Sequence, residues 1–130
     1  MLNQGMGLNL MTLHNGHFNV TYKGVPALKC PFDYVMYQML INEVKPDLII
    51  EVGTYLGGAT YYYAELLDLL GQGEVHTIDI TDKSPDVVKS HPRVKIFSEG
   101  WENYPLTLIA NHKKVLIIED DSFLQDFYRL

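Results

Sequence analysis

The chain contains the stretch Leu48-Ile-Ile-Glu-Val-Gly-Thr-Tyr-Leu-Gly-Gly-Ala59. Its apolar beginning, which includes one acid, is typical of a strand buried on both faces of a sheet. The glycines that follow predict a tight turn and then the start of a helix. Because amide groups at a helix start attract anionic groups, the stretch predicts a nucleotide-like binding corner. An ordinary strand–turn–helix corner is the alternative, since glycine pairs occur in many loops.

Predicted strands and helices alternate on both sides of this stretch. A helix over 31–44 precedes the first strand, at 47–52, and a second helix follows at 59–70. The later elements are strands at 74–80, 94–97 and 115–118, a short helix from Ser84-Pro85-Asp86, and helices over 103–111 and 122–130. This alternation predicts an α/β fold: a doubly wound, mostly parallel sheet of about four core strands with helices on both faces.

The first 30 residues form a predicted N-terminal arm, and 31–130 form one predicted domain. Within the arm, Asn15-Gly16 predicts a two-residue hairpin turn that leads into alternating apolar residues. The helix over 31–44 has an apolar stripe at helical spacing, which we expect to face the core. The residues of this stripe are Val35, Met36, Met39, Leu40 and Val44.

Composition argues against several classes of protein. A chain of 130 residues that is 47% hydrophobic can form one domain with a substantial core. The net charge of −6 argues against nucleic acid or an anionic membrane as the main partner. No apolar run reaches the roughly 20 residues of a membrane span, and the first residues lack the basic start of a signal peptide. The single cysteine, Cys30, fits a reducing compartment, so we expect a cytoplasmic protein.

Candidate ligand-binding residues lie where the predicted parallel strands end. Asp79 lies 26 positions beyond Gly53, where dinucleotide-binding proteins place an acid that binds a ribose diol. The alternative is an aspartate that only caps the following turn. The pyrophosphate fingerprint needs glycine where this chain has Tyr55, so a ligand with ribose and adenine but no pyrophosphate is favoured. S-adenosylmethionine is such a ligand, and a nicotinamide-dependent oxidoreductase is the less favoured alternative.

The residues around this corner resemble a known family. Pro46-Asp47-Leu48-Ile49-Ile50-Glu51-Val52-Gly53-Thr54, followed by Gly57-Gly58-Ala59, is similar to the first motif of S-adenosylmethionine-dependent methyltransferases. The similarity is closest to the cephalosporin hydroxylase and rhamnosyl O-methyltransferase group, and it covers roughly 24–122. It implies a Rossmann-like S-adenosylmethionine-binding domain that methylates an oxygen atom of a small molecule or sugar.

Carried over by position, the resemblance implies a role for each residue of the corner. Asp79 would hold the ribose, and Ile80 would lie against the adenine. Gly100 and Trp101, after the third strand, would flank the adenine. The residues expected to line the methionine part of the cofactor are Glu51, Gly53, Thr54, Gly57, Gly58 and Ala59.

The resemblance also implies a role for the acids after the fourth strand. Asp120 would contact the metal or the substrate. From the residues themselves, Glu119, Asp120 and Asp121 are candidate bases or metal ligands. Adjacent acids suit a hard cation such as Mg²⁺, although an acidic turn that caps the last helix is the alternative. Two positions depart from the group's pattern: Ala59 replaces a serine, and Phe123 stands where the group has a histidine.

The predicted sheet has fewer strands than a complete methyltransferase sheet. The first strand would be central and the fourth an edge, which leaves unpaired backbone groups and an apolar face. We therefore expect a homo-oligomer. A non-catalytic cofactor-binding or assembly module, which lacks the substrate-binding half, is the alternative to an active enzyme.

Overall fold

The structure, a computed structural model, describes residues 15–119. Asp120, Asp121 and the helix expected over 122–130 lie outside the described residues. Three short 3₁₀ turns, at His17–Asn19, Trp101–Asn103 and Leu106–Asn111, accompany the helices and strands. In chain order, these are β1 (Thr21–Tyr22), β2 (Val25–Pro26), α1 (Pro31–Val44), β3 (Leu48–Val52), α2 (Gly58–Leu70), β4 (Glu74–Ile78), α3 (Asp86–Lys89), β5 (Val94–Phe97) and β6 (Val115–Glu119).

Four of the strands form one parallel sheet in the order β5-β4-β3-β6, as the alternating pattern predicted. Val52, at the end of β3, is level with Ile78 of β4 and Glu119 of β6. The chain runs to one side of β3 through β4 and β5, and then returns to its other side with β6. Open α/β sheets bind ligands where the strand order reverses in this way, at the carboxyl ends of the strands.

The two faces of the sheet are covered differently. On one face, Ile49 and Val75 pack under α2, whose Tyr63 and Leu67 are completely buried. On the other face, Ile50 and other apolar residues pack against the turns after β5. The helix expected over 103–111 is two 3₁₀ turns instead, because Pro105 lacks an amide hydrogen and keeps the residue before it extended.

The hairpin of the arm lies later than the sequence suggested. Its turn is Lys23-Gly24, with φ of 49° and 83°, as a two-residue turn between antiparallel strands requires. Asn15 and Gly16 are helical instead. The hydroxyl of Tyr22 donates a 2.8 Å hydrogen bond to Glu65 of α2, so the hairpin is attached to that helix.

Helix α1 has the predicted bounds, but its apolar stripe faces solvent. Val35 is 55% exposed, and Met36 and Met39 are each 60% exposed. The helix instead packs through Ile41, Tyr34 and Tyr37, and the two tyrosines make edge-to-face contacts with tyrosines of α2. Large aromatic rings bury more area than methionine, which favours this side of the helix. None of the described helices is long and apolar enough to cross a bilayer.

Candidate functional site

The turn after β3 has a backbone that few residues other than glycine adopt. Gly53 has φ of 104°, and its amide donates a 2.8 Å hydrogen bond to the carbonyl of Ile78 at the end of β4. Tyr55 has φ of 48°, which is uncommon for a bulky side chain. Its amide donates a 2.8 Å hydrogen bond to Oδ2 of Asp79. The turn is therefore held against the end of β4 by two hydrogen bonds.

Asp79 connects the turn to the loops that follow β4 and β5. Its Oδ1 accepts a 2.7 Å hydrogen bond from the amide of Ile80, while Oδ2 accepts the one from Tyr55. Its carbonyl also accepts a 3.0 Å hydrogen bond from the amide of Gly100. Because each carboxylate oxygen has two lone pairs, each can accept one more hydrogen bond. Two adjacent hydroxyls of a ribose fit such an acceptor pair.

Ile80, which directly follows this carboxylate, and Trp101 are exposed apolar residues. Ile80 is 78% exposed, and a Cβ placed on Gly100 would lie 3.8 Å from its side chain. Trp101 stacks on Tyr104 with the ring planes 9° apart and the ring centres 5.7 Å apart. Asp79, Ile80 and Gly100 therefore lie together, and Trp101 follows Gly100 in the chain. An exposed isoleucine beside a glycine can accept the face of an aromatic base.

Glu51 does not line the turn as expected, because its side chain lies inside the protein. It is completely buried, and Oε1 accepts hydrogen bonds from the hydroxyls of Thr60 and Thr77, the latter at 2.7 Å. Thr77 also lies 2.6 Å from the hydroxyl of Thr54, which is itself buried. These hydrogen bonds of Glu51 therefore connect β3, β4 and α2 beneath the turn and hold the turn in position.

Gly57 and Gly58 lie where a side chain would meet other parts of the protein. A Cβ on Gly58 would lie 2.2 Å from the carbonyl oxygen of Pro26 in the arm. A Cβ on Gly57, which has φ of 88°, would lie 3.0 Å from Ser84 and also contact Val88. Ala59 is buried in the core beneath them. These three residues fix the start of α2 against the arm and the loop before α3.

The loop before α3 is held by Asp82. Its carboxylate accepts hydrogen bonds from the amide and hydroxyl of Ser84 and forms a 3.0 Å ion pair with Lys89. The hydroxyl of Ser84, and then Lys89, hold the pKa of Asp82 below its usual value. Since Ser84 packs against Gly57, this network keeps the loop beside the glycine turn.

Three of the residues that build the site were missed by the sequence reasoning. Thr60 and Thr77 hold Glu51, and the side chain of Asn103 donates a 2.7 Å hydrogen bond to the carbonyl of Glu99. The sequence did carry a signal for the threonines: Glu51 lies within an apolar strand, and a buried carboxylate needs hydrogen-bond donors nearby.

A recess of about 230 Å³ at the end of β5 is lined by Ile96, Phe97, Ser98, Glu99, Gly100 and Asn103.

The fold and this site define a methyltransferase-type, Rossmann-like domain. Residues 15–98 match the protein family described as Rhamnosyl O-methyltransferase/CmcI. Since the match covers more than half of the chain, the chain belongs to this family.

Mycobacterial proteins are among its relatives. A Rhamnosyl O-methyltransferase of Mycobacterium tuberculosis is 37% identical over 67 residues, which are 51% of this chain and 27% of that protein. The Rhamnosyl O-methyltransferase of Mycobacterium leprae is 32% identical over 86 residues, which are 65% of this chain and 37% of that protein. The matches therefore span well under half of each relative's length.

Solved structures of CmcI share the fold. One, with Mg and SAM, has a TM-score of 0.67 at 18% identity and covers 85% of this chain and 51% of that one. Another, with SAH, has a TM-score of 0.66 and covers 84% of this chain and 53% of that one. At this identity the likeness shows the fold alone.

Proposed function

We propose that this chain forms the cofactor-binding part of an S-adenosylmethionine-dependent O-methyltransferase. The observation that carries the proposal is the carboxylate of Asp79, which is oriented by two amides and can still accept two hydrogen bonds. Membership of the Rhamnosyl O-methyltransferase/CmcI family supports the choice of ligand. The CmcI structure with Mg and SAM supports it further, since its fold is shared over most of this chain.

In this proposal, each residue near the turn has a distinct task. Asp79 accepts hydrogen bonds from the two ribose hydroxyls, and Ile80, Gly100 and Trp101 surround the adenine. The backbone of Gly53 and Thr54 lies along the methionine part. The remaining residues position the turn: Glu51, Gly57, Gly58 and Ala59.

The cofactor supplies an activated methyl group on sulfur, so the protein has to orient the acceptor and remove its proton. We assign the base to Asp120 and a Mg²⁺ ion to Asp120 and Asp121. Their position after β6 supports this assignment, because Glu119 is level with Val52 and the glycine turn follows Val52 directly. Oxygen ligands of this kind suit Mg²⁺.

The acceptor that we propose is a hydroxyl of a small molecule, and specifically of a sugar. The support is the name of the mycobacterial relatives, which describes methylation of a rhamnosyl group. The test is release of S-adenosylhomocysteine from S-adenosylmethionine in the presence of a rhamnoside and Mg²⁺. We expect acceptor-dependent release that Asp120→Asn abolishes while leaving cofactor binding intact.

Two results would contradict the enzymatic proposal. Tight S-adenosylmethionine binding without turnover on any sugar acceptor would favour the non-catalytic module. Binding of NAD in place of S-adenosylmethionine would favour the oxidoreductase, although Tyr55 occupies the position where a pyrophosphate needs glycine.

We also propose that the chain forms a homo-oligomer. Two apolar surfaces support this proposal. One is the exposed apolar stripe of α1, and the other is β6, where Ile117 is 57% exposed. Within residues 15–119, β6 is an edge strand that pairs only with β3. A cytoplasmic location remains the prediction made from the cysteine content.

A further inference from the structure

A second cluster of polar side chains lies at the opposite end of β4 from Asp79. Glu74 begins β4, and His76 projects from the same face of that strand two residues later. His112 lies three residues before β6. Oε1 of Glu74 is 2.9 Å from Nε2 of His76 and 3.3 Å from Nε2 of His112.

The distances between these atoms suit one metal ion. One ligand atom from each residue lies within 4.8 Å of the other two. Zinc binds imidazole nitrogen and carboxylate oxygen at about 2.0–2.2 Å, so tetrahedral ligand atoms lie about 3.3 Å apart. Two histidines and one glutamate are also a ligand set that zinc enzymes use. Only small side-chain movements would bring the three atoms around an ion.

A hydrogen bond holds the imidazole ring of His76 from behind, as is usual for metal-binding histidines, and a carboxylate lies near the ring of His112. Nδ1 of His76 lies 2.6 Å from the hydroxyl of Tyr104. Nδ1 of His112 lies 3.7 Å from Oδ2 of Asp47. That carboxylate is fixed in turn, because it accepts 2.8 Å hydrogen bonds from two successive amides after His112. In both rings Nε2 is the nitrogen that lies near Oε1 of Glu74.

Burial and charge allow an ion to enter. His76 is almost completely buried. Glu74 and His112 are partly exposed, so an ion can reach them from solvent. Lys95 forms a 3.1 Å ion pair with Oε2 of Glu74, which leaves Oε1 for the metal.

We propose that Oε1 of Glu74 and the Nε2 atoms of His76 and His112 form a site for Zn²⁺ or a similar transition-metal ion. A water molecule completes the coordination. The ion connects the start of β4 with the segment before β6, and these two strands flank β3. It is distinct from the Mg²⁺ that we assign to Asp120 and Asp121.

Zinc titration of the metal-free chain tests this proposal, with a chromophoric chelator as competitor. We expect one equivalent of Zn²⁺ and a higher melting temperature in its presence. His112→Ala and Glu74→Gln should each lower zinc affinity at least 10-fold. His91→Ala, at a histidine outside the cluster, is the matched control and should leave affinity unchanged.

Cobalt provides a readout that does not depend on stability or methyl transfer. Co²⁺ bound by the three ligands should give intense visible absorption, which His112→Ala removes while its circular dichroism remains that of the folded chain. Absence of stoichiometric zinc, or equal binding by all variants, would overturn the proposal. Asp79→Ala should still bind zinc, so this result is separable from failure of the cofactor site.

Discussion

The amide of Tyr55 donates a 2.8 Å hydrogen bond to Oδ2 of Asp79, which joins the glycine turn to the end of β4. Tyr55 adopts φ of 48°, a conformation that costs roughly 1–2 kcal/mol for residues with a side chain. The hydrogen bond helps to offset this cost. Asp79 therefore shapes the turn and also faces the proposed ribose site, and variants are needed that separate the two roles.

Asp79→Ala should weaken S-adenosylmethionine binding about 10- to 100-fold, because hydrogen bonds to charged groups contribute about 1.5–3 kcal/mol. Asp79→Asn retains one acceptor oxygen, so its loss should be smaller. Isothermal titration calorimetry measures both variants, and Asp86→Ala, at an exposed acid of α3, is the control. Wild-type affinity in a folded Asp79→Ala variant would remove Asp79 from the site.

Thr60→Val and Thr77→Val should each lower the free energy of unfolding by about 1–3 kcal/mol, because each removes a buried donor to Glu51. Thr60→Ser keeps the hydroxyl and should lose much less. Urea denaturation measures the change, and Thr107→Val, at an exposed threonine, is the control. Equal stability of the serine and valine variants would show that the hydroxyl contributes nothing.

Gly58→Ala should destabilise the protein by about 1–3 kcal/mol, because the added Cβ would meet the backbone of Pro26 at 2.2 Å. Gly16→Ala is the matched control, since a Cβ there would meet no atom of residues 15–119 within 4 Å. Thermal unfolding of both variants provides the comparison. If Gly58→Ala is as stable as wild type and only cofactor affinity falls, the glycine serves the ligand instead.

The Tyr22–Glu65 contact predicts a loss of stability at alkaline pH. Burial and the hydrogen bond to Glu65 raise the pKa of Tyr22 from 10.0 to about 12. The unfolded chain releases this proton near pH 10 and the folded chain near pH 12. The stability contributed by the protonated phenol is therefore complete below pH 10 and is lost between these values.

Ultraviolet titration of tyrosinate checks this prediction. Tyr22→Phe should remove one late-ionising step, and Glu65→Ala should move that step towards pH 10. A titration curve in which Tyr22→Phe removes a step near pH 10 would show that the hairpin does not hold Tyr22 against α2.

The exposed apolar stripe of α1 predicts that charged substitutions on this helix reduce association of the chain with itself. Met36→Lys combined with Met39→Lys should convert the proposed oligomer to monomers, because both side chains are 60% exposed on one face. Light scattering after size exclusion measures the mass. Leu69→Lys, at an exposed leucine of α2, is the control and should leave the mass unchanged. A monomeric wild-type chain would contradict the proposal.

The sheet could be predicted from the sequence because local patterns of apolar and turn residues mark each strand. The apolar run at 48–52 and its glycine turn identified β3, and the acid at Asp79 identified the end of β4. The orientation of α1 could not be predicted in this way. Both of its faces are apolar, and the choice depends on tyrosine contacts with α2, which is distant in sequence.

The candidate site could be predicted in part. Asp79, Ile80, Gly100 and Trp101 follow the neighbouring strands β4 and β5, so the fold places them at one edge of the sheet. The burial of Glu51 depends on Thr60 and Thr77, which come from two other elements. The need for glycine at position 58 depends on the backbone of Pro26, which belongs to the arm. Such contacts between distant segments leave little signal in one sequence.

Calorimetric titration of the chain with S-adenosylmethionine, and separately with NAD, tests the central claim most directly. We predict saturable binding of S-adenosylmethionine at one site per chain, loss of that binding in Asp79→Ala, and no heat of binding with NAD. Absence of S-adenosylmethionine binding by the folded chain, or preferential binding of NAD, would contradict the proposed function.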